Sequence, residues 1–158
     1  MTRVRAAAVM AVTLVIAACS PGSLSVSPAS ATPTSSPATT GSISGILGYP
    51  AGSQPAMVVY AIRADTNLPH FLSVRARENQ PSFTIDGLPP GVYHIVAYLE
   101  SDPQRAGAYS QFVLCGLATT CTDHTLVPVS VRAGEAVQGI KVLDWYAKPG
   151  TFPARPTG

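Results

Sequence analysis

Phe83-Thr84-Ile85-Asp86-Gly87-Leu88-Pro89-Pro90-Gly91-Val92-Tyr93-His94-Ile95-Val96-Ala97 is the stretch that decides the fold. Phe83 and Ile85 alternate with Ser82, Thr84 and Asp86, the period-two pattern of a strand with one buried face. Asp86-Gly87 and Pro90-Gly91 then punctuate a tight connection. Proline presets φ there, and glycine accepts the positive φ that a turn requires. Beyond the turn, Tyr93, Ile95, Ala97 and Leu99 fall on one side of a second strand. Val92, His94, Val96 and Tyr98 fall on the other.

The same grammar extends in both directions. From Ile43 onward, turn signals recur about every 8 to 14 residues, and no segment between them sustains a helical period. This spacing predicts an all-β, Greek-key β-sandwich of about seven to eight strands. Strands are expected near 42–48, 55–63, 69–77, 81–86, 91–100, 108–115, 125–132 and 136–144. Gly48 to Gly52 is read as closing a first hairpin and Asp65-Thr66-Asn67 as turning a second. The register of 57–62 is ambiguous: either Met57, Val59 and Ala61 or Val58, Tyr60 and Ile62 face inward.

Phe83, Ile85, Gly87, Leu88, Pro89, Pro90, Gly91, Tyr93 and Ile95 resemble the central motif of the carboxypeptidase-regulatory-like family. Ile43 to Leu47 is similar to that family's first strand, Pro55 to Ile62 to its second, and Val137 to Val142 to a closing strand. The resemblance covers roughly residues 42–144. It implies a prealbumin-like (transthyretin-like) or Ig-like sandwich that serves as a non-catalytic module. No zinc ligands carry over, because the regulatory-like module lies outside the carboxypeptidase catalytic domain.

The N-terminus reads as an address. Arg3 and Arg5 precede Ala6 to Ala18, which carries no charge and, at 13 residues, is shorter than the roughly 20 needed to cross a bilayer. Val15-Ile16-Ala17-Ala18-Cys19 resembles a bacterial lipobox, so residues 1–18 are expected to be a cleaved signal peptide and Cys19 the lipidated residue. Residues 19–42 are rich in Ser, Thr and Pro, carry no charge, and are expected to form a disordered tether. A β-sandwich at 43–146 and a Pro-rich tail at 147–158 complete the expected organisation. Without the leader the chain holds eight basic and eight acidic residues. That balance offers no electrostatic footprint for nucleic acid.

Of three cysteines, Cys19 is assigned to lipid, leaving Cys115 and Cys121. An even pair in an exported chain implies a disulfide. The rival reading, a metal bound by Cys115, Cys121, Asp123 and His124, lacks CxxC or HxxxH spacing and is set aside. Asp123-His124 is expected to cap the turn into the next strand. No catalytic residues, metal or cofactor are assigned. There is no Gly-x-Ser-x-Gly, and His70, His94 and His124 fall in different elements.

Two clusters are candidates for ligand contact. The first is Tyr98, Asp102, Arg105 and Tyr109, with Glu100, around a polar loop. The second is Trp145 and Tyr146, with Phe152, in the tail. The competing expectation is that Trp145 and Phe152 fold back to cover the open end of the sandwich. The expected function is therefore a lipid-anchored protein of the cell membrane or outer-membrane surface. Its partners would be the membrane, through the anchor, and an envelope polysaccharide or protein. It is expected to be a monomer or weak dimer. A small-molecule or metal carrier is the alternative, and a hydrolase comes last.

Overall fold

The computed structural model describes residues 39–66 and 70–157. The expected leader, Cys19 and most of the expected tether lie outside them. The elements run β1 (Gly41–Leu47), β2 (Met57–Arg63), β3 (Phe71–Ala76), β4 (Ser82–Leu88), β5 (Gly91–Leu99), β6 (Ala106–Ala108), α1 (Gln111–Leu114), β7 (Val129–Val131) and β8 (Ala136–Val142). The fold is an all-β sandwich of a three-stranded sheet, ordered β4-β1-β8, and a five-stranded sheet, ordered β3-β2-β5-β6, with β7 also on β5.

β1 is the middle of the small sheet, antiparallel to β4 and parallel to β8. A Cβ on Gly45 would lie 1.9 Å from the carbonyl oxygen of Ile140, so only glycine permits the β1–β8 approach where their register shifts. In the large sheet β2 pairs along its whole length with Tyr93 to Leu99 of β5, while β6 and β7 share the far edge of β5. The inner faces meet in one core that includes Ile43, Met57, Val59, Phe83, Ile85, Tyr93, Ile95 and Val142.

The decisive motif turns a corner between the two sheets. β4 belongs to the small sheet and β5 to the large one, and only Pro89 and Pro90 separate them. Gly87 takes φ 75° before the corner. The buried Tyr93 donates its hydroxyl hydrogen back to the carbonyl oxygen of Pro89 at 2.6 Å, the hydrogen bond of a tyrosine corner. Asp65, in the β2–β3 connection, braces the same corner. Arg63 donates to its carboxyl at 2.6 Å and to the Pro90 carbonyl at 3.0 Å.

Three local expectations are corrected. Gly48 to Gly52 does not close a hairpin: β1 pairs with β4 and β8, so this segment crosses from one sheet to the other. Residues 108–115 are not one strand but the end of β6 followed by α1. Phe112 and Val113 are adjacent and both buried, which one helical turn achieves and a strand, alternating faces, does not. Gly116 at φ 76° then ends the turn. The strand expected at 125–132 shrinks to β7, because Pro128 has no N–H to give the ladder.

Candidate functional site

The large sheet is apolar on both faces, which resolves the ambiguity at 57–62. Met57, Val59 and Ala61 enter the main core, while Val58, Tyr60 and Ile62 join Phe71, Val96, Tyr98, Ala106 and Ala108 on the outer face. Tyr60 meets Tyr98 edge-on at 5.5 Å between ring centroids and Phe71 at 5.6 Å. Tyr60 and Tyr98 nevertheless keep only 5% and 1% of their surface exposed, because the C-terminal segment lies over them. Phe152 is buried on this patch. The Tyr98 hydroxyl donates to the Pro153 carbonyl at 2.8 Å, and Arg155 Nε donates to the Tyr60 hydroxyl oxygen at 3.0 Å. Burial pushes the Tyr98 phenol up to about 12.

Beside this strap a cleft of about 1310 Å³ opens towards loop Asp102–Arg105. Asp102, Pro103, Gln104 and Arg105 form one wall, all exposed, and Lys148 and Pro149 stand on the strap side. The loop is shaped by two local hydrogen bonds: the Asp102 carboxyl accepts from Gln104 N, and its backbone carbonyl accepts from Arg105 N. The Arg105 guanidinium also lies 5.7 Å from the Tyr49 ring centroid. Glu100, at the start of the loop, is held by a forked ion pair with Arg75, which keeps its carboxyl below the ordinary range.

The expected ligand residues therefore separate. Tyr98, Asp102, Arg105 and Trp145 line the cleft, but Tyr98 and Trp145 lie in its buried floor. Trp145 belongs to the main core. Its ring Nε1 donates to the Gly48 carbonyl at 2.6 Å, it packs edge-on to Tyr49, and a Cβ on Gly107 would strike it at 2.3 Å. Phe152 covers the outer sheet face rather than the end of the sandwich. Tyr109 is half-buried against the core, and the exposed Tyr146 lies on a second cleft with His94 and His124.

Cys115 and Cys121 form a disulfide, with Cα atoms 6.3 Å apart, so neither thiol is available to a metal. Asp123 caps the turn by accepting from Thr125 N at 2.9 Å. Its neighbour His124 does something the sequence did not reveal. His124 Nδ1 lies 2.8 Å from Oδ2 of Asp144, and the Ser110 hydroxyl donates to that same oxygen at 2.5 Å. Tyr146 N donates to Oδ1 at 3.2 Å. Asp144 and Ser110 are fully buried, so the three-residue hub ties the α1 turn, the disulfide loop and the start of the strap together.

A comparison with family models, with curated proteins and with solved structures found no match to this chain. Serine, histidine and aspartate meet here, but serine and histidine converge on one carboxyl oxygen. A serine relay instead needs the hydroxyl hydrogen bonded to the imidazole. His94, on the outer face, has its imidazole pKa lowered by burial, and His70 lies exposed before β3. Among the described residues, no group of three His, Cys, Asp or Glu side chains is placed to hold a metal ion.

One signal for the hub was present in the chain. Asp144 falls in phase with the buried Ile140 and Val142, four and two positions earlier. A carboxyl at a buried period-two position demands partners.

Proposed function

We propose that this chain is a non-catalytic lipoprotein of the cell envelope, anchored through Cys19, whose β-sandwich binds an envelope polysaccharide or protein. The leader, the lipobox-like Val15 to Cys19 and the Ser/Thr/Pro stretch support the anchored reading. The observation that carries the binding reading is the cleft between loop Asp102–Arg105 and the strap. It sets exposed Asp102, Gln104, Arg105 and Lys148 above a rigid sheet, the arrangement by which loops on sandwiches recognise partners. The non-catalytic reading rests on the hub, where the hydroxyl of Ser110 is committed to a carboxyl rather than to a base.

The test uses the full chain, purified from membranes in detergent. Radiolabelled palmitate is expected to enter the native chain and not Cys19→Ala. Envelope extracts and a glycan array, passed over the native chain and an Arg105→Ala/Lys148→Ala double variant, are expected to show retention by the first and its loss in the second. A hydrolytic activity that co-purifies with the folded chain and disappears in Ser110→Ala would end the non-catalytic reading.

A further inference from the structure

The strap is attached in an unusual way for a segment that completes a core. After Tyr146 it contains neither helix nor strand. Among the described residues its one backbone–backbone hydrogen bond is internal, from Thr151 N to the Lys148 carbonyl. It is held to the sheet by side-chain contacts: the Phe152 ring on the patch, Tyr98 on the Pro153 carbonyl, and Arg155 on Tyr60 through a hydrogen bond and a guanidinium 5.8 Å from the ring centroid. Pro149, Pro153 and Pro156 keep it extended. An aromatic surface, a tyrosine hydroxyl on a carbonyl beside proline, and a cation on an aromatic face are how folded domains read extended proline-rich peptides.

We propose that the outer face of the large sheet is a recognition groove for an extended Phe-Pro-x-Arg segment of a partner protein. Phe152-Pro153-Ala154-Arg155 of this chain occupies that groove in cis. The segment seated there defines the ligand: an aromatic ring for the Tyr60–Tyr98–Phe71 patch, a proline carbonyl for the Tyr98 hydroxyl, and an arginine two residues on for Tyr60. Arg155 adds to the lowering of the Glu100 carboxyl, whose larger cause is its fork with Arg75, so that carboxylate lies within electrostatic reach of the cationic position. Lys148, Pro149 and Gly150 are exposed, and Gly150 has φ 83°, which makes this the place where the strap swings. Being covalently joined, the strap competes at an effective concentration of order millimolar, so a partner gains the groove only by binding better or by presenting many copies. This inference deepens the binding-module reading and rests on it, but assigns a peptide to one face of the sheet.

The probe is a fluorescein-labelled peptide with the sequence of residues 148–158, read by fluorescence polarisation. It is titrated into the full chain, a chain ending at Ala147, and Phe152→Ala. The full chain is expected to bind at least tenfold more weakly than the other two, and Tyr98→Phe placed in the shortened chain to weaken binding several-fold. If the shortened chain does not fold, the decision passes to Phe152→Ala, whose strap is still present. Folded Phe152→Ala that ignores the peptide would overturn the proposal. So would a full chain that dimerises with concentration and loses that dimer in Phe152→Ala, because the groove would then belong to a second copy's strap. Retention of envelope material through Arg105 and Lys148 survives either failure, so the two readings fall separately.

Discussion

The hydroxyl of Ser110 donates to Oδ2 of Asp144 across 2.5 Å, and neither residue has any exposed surface. His124 approaches the same oxygen, and the backbones of Ala108 and Asp144 are bonded in both directions. Removing the carboxyl strands a buried hydroxyl and frees the strap's point of departure. Asp144→Ala is expected to cost about 3 kcal/mol and Ser110→Ala about 1 kcal/mol, read from urea midpoints. A loss below about 1 kcal/mol for Asp144→Ala would mean that the hub does not organise this end of the sandwich.

The corner between the two sheets makes a narrower prediction. Tyr93→Phe keeps the ring, its volume and its burial and removes only the bond to Pro89. The expected cost is about 1 kcal/mol. Because the bond fixes the only two residues between β4 and β5, hydrogen exchange is expected to quicken at Leu88 and Gly91 more than at Ile95. Uniform acceleration along β5 would mean the hydroxyl stabilises the sheet generally and not the corner.

The Cys115–Cys121 bridge closes a small ring, its cysteines six positions apart in sequence. By loop entropy a ring of this size contributes about 2 kcal/mol. Its position says where the effect should appear. The ring follows α1, whose Phe112 packs on His124 and Tyr146. Reduction, or Cys115→Ser with Cys121→Ser, is expected to lower the thermal midpoint and to broaden the NMR signals of His124 and Tyr146, leaving those of β1 and β4 sharp. Equal broadening in the small sheet would contradict this local role.

The chain announced the sandwich through its alternation, and most clearly where one face alone is apolar, as at Phe83 and Ile85. It was opaque at Met57 to Ile62, where every residue up to Ile62 is apolar. Two sets of partners compete for such a strand, and the second set, the strap, lies about 90 residues further on. The α1 turn was missed for a similar reason. Residues Tyr109 to Cys115 have strand-like composition, and only the burial of adjacent Phe112 and Val113, a tertiary fact, favours a helix. Among the expected ligand residues the sequence supplied aromatics and charges without saying which were covered. Trp145 and Tyr98 are consumed by packing, while Asp102 and Arg105 remain free to meet a partner.

Tyr98 links stability to alkaline pH with a definite sign. Burial is the main reason its phenol is pushed up to about 12, with Tyr60 adding to the shift and Arg155 opposing it. An unfolded tyrosine titrates near 10. Below about pH 10 both states hold the proton and stability is unaffected. Between about 10 and about 12 the unfolded chain loses a proton that the folded chain keeps, so stability falls as pH rises. Burial raises the Tyr93 phenol too, so both groups feed the slope. Denaturant midpoints from about pH 9 to about pH 12 are expected to decline less steeply in Tyr98→Phe than in the native chain, and less steeply again when Tyr93→Phe is added. The folded chain gives up that hydrogen only as the pH reaches about 12, and an ionised Tyr98 has none to donate to the Pro153 carbonyl, so the NMR signals of Phe152 and Ala154 are expected to broaden there before those of β2 and β5. Signals of Phe152 and Ala154 that stay sharp until the sheets unfold would show that the strap is held by Phe152 and Arg155 without help from that hydroxyl.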